Sequence, residues 1–245
     1  MIRSTHILTA ALLAIGSNAF AGAINITPVG GGITLNSGDL TSTVFGSVKP
    51  AWAPGSLASV HNALNAAGID TEGKVTFVPA DTNHGLALLV LIDREVAPPP
   101  PASTGHLQMA SSGAGQGLTY INNVASTVML TTGADGSRVA SANFVWNANG
   151  GGDAFAWANL HEDDTVSFRF LRPSSGTGLI EPSTFQFVTW GSNGWELAAV
   201  PAGDSLFDSD GSYSFGGRVV PLPSAFAMGT LSLLAASAVR RRARA

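Results

Sequence analysis

The chain has no cysteine at all, which excludes disulfides, thiolate metal centres and cysteine nucleophiles. It is also poor in charge: Asp, Glu, Lys and Arg make up only 11% of the 245 residues, well below the usual quarter. Because 45% of the chain is apolar, this is not the highly charged, core-poor composition of a disordered protein. Catalytic signatures are missing too. His61, His84, His106 and His161 show neither HxxxH nor HExxH spacing. No Gly-x-Ser-x-Gly elbow or phosphate-cradling glycine fingerprint occurs either. The histidines therefore read as ordinary surface or capping residues.

The sparse charge is unevenly placed. All 16 acidic residues lie between Asp39 and Asp210, against seven basic residues from Lys49 to Arg218, a balance of −9 for the body that the overall −4 conceals. Such a body repels phosphate backbones and excludes nucleic acid as a natural partner. Divalent cations or polar sugars are better electrostatic matches.

What is present begins with the first 21 residues. Arg3 precedes a short apolar run over 7–15, and Ala19 and Ala21 place small residues at the −3 and −1 positions before Gly22. This is the order of a secretory signal peptide cleaved after Ala21, implying passage through the Sec machinery. The apolar run is too short for the ~20 residues that span a bilayer.

The last 26 residues have three ordered parts: Val220-Pro221-Leu222-Pro223-Ser224, an uncharged apolar run over 224–239, and a cluster of Arg240, Arg241, Arg242 and Arg244. Pro223 suits a helix start with Ser224 near its cap. A C-terminal apolar helix is expected, with the arginines on the cytoplasmic side and the body facing outward. This tail resembles the PEP-CTERM sorting signal of exosortase substrates, in its Val-Pro-Leu-Pro form, with Leu222 where Glu is commonest. The resemblance covers about a tenth of the chain. It implies recognition through Val220, Pro221, Pro223 and Ser224, a stop at the arginines, and processing by an exosortase-type enzyme. An ordinary C-terminal membrane anchor is the alternative, so cleavage or retention of the tail stays open.

Between the ends, residues 22–218 form one expected domain of about 200 residues, enough for a buried core without disulfides. Period-two alternation marks strands at 74–78, 137–146, 165–170 and 184–190, and a continuous apolar run marks a strand buried on both faces at 85–92. Weaker strands are expected at 41–47, 104–109, 118–122, 127–132, 195–200 and 212–218. Asp135-Gly136 and Ser192-Asn193-Gly194 mark hairpin turns. The pattern predicts an all-β, antiparallel β-sandwich or jelly roll. One short helix is expected from a Ser56 cap, with Leu57, Val60, Leu64 and Ala67 as its apolar stripe and Gly68 as its stop, packed over an end or edge of the sandwich.

Two acidic clusters, Glu162-Asp163-Asp164 and Asp204 with Asp208 and Asp210, read as solvated turns. Asp208-Ser209-Asp210-Gly211 resembles the start of a calcium loop but lacks the closing Glu of an EF-hand. Asp208 and Asp210 are thus weak metal candidates, calcium is the one ligand ion to consider, and no cofactor is otherwise implied. Trp52, Trp146, Trp157, Trp190 and Trp195 either fill the core or stack on sugars.

The reading reached from sequence is a non-enzymatic cell-surface or extracellular-matrix protein of a bacterial envelope, exported and sorted through its tail and held at the membrane by it for a time or permanently. A carbohydrate-binding sandwich, calcium-assisted, with extracellular polysaccharide as partner, is the alternative. It requires aromatics in line on an exposed face. A secreted hydrolase, third in order, requires a deep pocket with facing carboxylates or an acid–base pair.

Overall fold

The computed structural model describes residues 22–27, 32–41, 56–92, 105–121, 126–134, 136–146, 152–171, 185–199 and 212–220. The described strands are β1 (Ala23–Thr27), β2 (Ile33–Asn36), β3 (Gly38–Asp39), β4 (Val75–Thr82), β5 (Gly85–Ile92), β6 (Gly105–Gly113), β7 (Gln116–Tyr120), β8 (Thr127–Thr132), β9 (Arg138–Trp146), β10 (Asp153–Leu160), β11 (Thr165–Leu171), β12 (Phe185–Gly191), β13 (Gly194–Leu197) and β14 (Tyr213–Val220). The described helix is α1 (Ser56–Ala66).

Two sheets face each other. The first runs β2-β1-β14-β11-β6-β9-β8, and the second β13-β12-β4-β5-β10-β7, with β3 beside β4. The expectation of a sandwich with one short helix agrees with this. The expectation of purely antiparallel pairing does not: β12 and β3 both lie parallel to β4. Both arrive from the first sheet, β3 after β2 and β12 after β11, so their direction is set by a crossing between sheets and not by a hairpin. Ser37 is the corner at which the chain leaves the first sheet for the second, since β2 ends at Asn36 and β3 starts at Gly38.

Alternation decides which side chains meet between the sheets. In β11 the pattern is exposed–buried throughout, with Val166, Phe168 and Phe170 turned inward. β14 does the same with Tyr213, Phe215 and Val219. Opposite them stand Phe77, Phe185 and Phe187 of the second sheet. Phe77 is the hub, within 4.7 Å of Phe215 edge-on and 4.9 Å of Phe187 stacked, with Phe168 and Phe170 at 5.9 and 5.8 Å. Such ring pairs add ~0.5–1.5 kcal/mol each beyond their area burial.

The second sheet is buried on its outer face as well. α1 presents Leu57, Val60 and Leu64 to Ala87, Leu89 and Leu91 of β5 and Ala154, Ala156 and Ala158 of β10. This corrects the expected position of the helix, which covers a sheet face and not an end of the sandwich. It also explains why β5 is apolar at every position from Leu86 to Ile92. The helix stop is as expected at Gly68, which has φ +80°. Ile69 N–H donates to Leu64 O at 3.0 Å and Gly68 N–H to Asn65 O at 2.9 Å, the paired bonds of a Schellman cap. Ile69, and not Ala67, completes the apolar stripe: Ile69 is buried and Ala67 exposed.

Candidate functional site

The chemistry-bearing residues disperse. His61 is buried on α1, not at the surface as expected, and its Nδ1 lies 2.8 Å from the hydroxyl of buried Thr71. The Glu162–Asp164 cluster is the β10–β11 turn. There Asp164 accepts the His161 N–H at 2.8 Å, and exposed Asp163, at φ +68°, accepts a 2.8 Å bond from Arg218. These two aspartates thus serve the turn and its neighbour. Among the described residues no three His, Asp or Glu side chains converge.

The tryptophans are equally informative. Trp157 lies wholly in the core, donating its indole N–H to Ser111 at 2.7 Å. Trp190 and Trp195 oppose each other across the β12–β13 hairpin, with centroids 5.0 Å apart and planes at 89°. Perpendicular rings do not make the flat row that successive sugars stack on. A shallow groove of about 760 Å³ crosses the outer face of the first sheet, between Gln108, Ala110, Met129, Ser141, Asn143 and Leu171. None of its described lining residues is an acid or a base.

The described residues next to the two terminal segments lie together at one end of the first sheet. β1 and β14 are antiparallel neighbours, and Ala23 stands opposite Val220. β14 therefore runs two residues past the domain boundary expected at 218. Val220 is half-buried in the sheet, and Val219 is tied to the β10–β11 turn: its N–H donates to Asp164 O at 2.9 Å and its carbonyl accepts Asp163 N–H at 3.2 Å.

Gly22 is buried one residue ahead of β1. Its carbonyl accepts Ser37 N–H at 3.1 Å, and its own N–H donates to the Ser37 hydroxyl at 3.3 Å. Ser37 is 1% exposed, and its hydroxyl also lies 3.3 Å from Asp81 Oδ2 on β4. A Cβ on residue 22 would stand 2.6 Å from Leu86 Cδ2, so the smallest residue fits this position best. No local pattern marks Ser37 or Asp81, because each meets its partner only once the corner between the sheets has formed.

Ala19, Ala21, Pro221, Pro223, Ser224, Arg240, Arg241, Arg242 and Arg244 lie outside the described residues, as do Asp204, Asp208, Asp210, Trp52 and the expected apolar helix. So do residues 42–47 of the strand expected at 41–47. Among the described residues no helix is long and apolar enough to cross a membrane. In comparisons with family models, curated proteins and solved structures, nothing matches this chain.

Proposed function

We propose that the protein is an exported, non-enzymatic component of a bacterial cell surface or extracellular matrix, delivered by its leader and sorted through its C-terminal tail. The observation that carries this reading is the Ala23–Val220 pair. The segment with signal-peptide order and the segment with proline–apolar–arginine order both join the domain at one end of one pair of strands. Two membrane-directed segments on adjacent antiparallel strands leave from the same pole, so one bilayer accommodates both while the opposite pole faces outward. Arg3 at one terminus and Arg240, Arg241, Arg242 and Arg244 at the other then remain on the same cytoplasmic side. The apolar run over 224–239 is read as the membrane helix between them, and the processing motif begins at Val220, the last residue of β14, and runs on through Pro221. Sec components, an exosortase-type enzyme and the membrane are the partners of this reading.

The test is the intact mass of the protein recovered from cell fractions. A species beginning at Gly22 and shortened near Pro221, in the surface or medium fraction, is the expected result. A membrane-bound species with the complete C-terminus replaces sorting by a permanent anchor. Full-length chain in the cytosol overturns both.

A further inference from the structure

Cleavage after Ala21 turns the Gly22 amide, one N–H donor, into an α-ammonium with three donors and a positive charge. This deepens the export reading and rests on it. We propose that Ser37 and Asp81 form a built receptor for this new amino terminus, so that leader removal completes an ion pair that the precursor lacks. The Gly22 nitrogen is buried and 3.3 Å from Ser37 Oγ, and that oxygen is 3.3 Å from Asp81 Oδ2. Ser37 is held in place because its hydroxyl donates its single proton, with the Gly22 carbonyl at 2.9 Å its nearest acceptor. Its N–H holds the same carbonyl at 3.1 Å. The amino terminus is thereby held at Ser37, whose hydroxyl oxygen stands between it and Asp81, the one carboxylate on β4. A buried ammonium without a counter-charge is costly, and one beside a carboxylate is favoured.

Among the described residues, the other charged groups of the neighbouring strands and turns make contacts of their own. Asp39 on β3 accepts two bonds from Thr41. Asp163 pairs with Arg218 on the β14 side, and Asp164 faces His161. His84 lies in the β4–β5 turn, its N–H held by Thr82. An ion pair raises the ammonium's pKa above the ordinary α-amino range of about 7.7–8.0. The sign follows from that direction. The pair's stabilisation is fully present below the unfolded value and is lost as pH rises through the folded one.

The test uses the exported protein purified from cells. N-terminal sequencing comes first, and then the α-amine is labelled with 13C by reductive methylation and titrated by NMR. The expected result is Gly22 as first residue, with an amine pKa raised by about one unit or more, returning to the ordinary range in Asp81→Asn. Ser37→Ala should give part of the same loss. Gly22 with an ordinary amine, or a raised value that survives Asp81→Asn, overturns the receptor and leaves the export reading standing. Another processed first residue overturns the receptor alone, and a chain that still begins at Met1 and stays in the cytosol overturns both.

Discussion

Gly38 shows how much a single missing side chain decides in this protein. A Cβ there would come within 2.4 Å of Trp195 and 2.7 Å of Trp190, so the two perpendicular indoles close over bare backbone. The same hairpin holds β2, because Thr189 accepts the Asn36 N–H at 2.9 Å. Gly38→Ala must therefore part the rings or lift the hairpin. A loss of about 1–3 kcal/mol is expected for such overpacking, read from urea unfolding followed by tryptophan fluorescence. Tyr213 gives the complementary test by pH. Burial raises its phenol above the ordinary value of 10.0, so it stays neutral in the fold while an unfolded chain ionises. Stability should hold below about pH 10 and fall above it. Asp39 has the opposite sign, since bonds from the Thr41 hydroxyl and amide lower its pKa. Its contribution is present above the unfolded value and fades as pH drops through the folded one. Thermal melts from pH 2 to 11 read both limbs, and Tyr213→Phe should flatten only the alkaline one.

At the scale of elements, the sequence was legible where a strand showed clean alternation or an unbroken run of large apolar residues. β5 occupies the expected residues 85–92, β11 starts where alternation starts, and Gly194, at φ +110°, closes the expected hairpin turn. β10 escaped notice because its outer positions Ala154, Ala156 and Ala158 face α1. Small buried residues there replace the polar half of the usual alternation and have low strand propensity. The parallel partners of β4 were not legible either, since direction depends on which sheet a segment comes from. The proposed site at Gly22 was half legible: the small residues Ala19 and Ala21 ahead of it stand out locally, but Ser37 and Asp81 are 15 and 59 positions further on.

β8 carries its own expectation. It is an edge strand of six uncharged residues without glycine or proline, and Met129 and Leu130 are 65% and 41% exposed. The other edges are shielded: β2 by the hairpin, and β13 by its four-residue length and Glu196. β7 lies beside Arg138, which reaches over to donate to Gly115 O at 3.1 Å. Bare edges of this composition recruit other strands. Concentration-dependent association of the native protein is therefore expected by sedimentation. Met129→Lys should suppress it and change stability by less than about 0.5 kcal/mol.

For the whole molecule, the decisive relation is that the chain's first and last described strands are neighbours. That sheet cannot close until β14 is available to β1, almost 200 positions later in sequence. Such long-range pairing makes for slow closure, so Gly22 is buried late.

The placement of β14 has one more result, a mechanical one. It is an inner strand, laddered to β1 on one side and to β11 on the other. Tension entering through the backbone beyond Val220 must slide β14 against both neighbours at once, whereas a strand on the rim would peel away one bond at a time. A molecule suspended by that end bears drag in shear, the direction in which hydrogen-bonded ladders give way last.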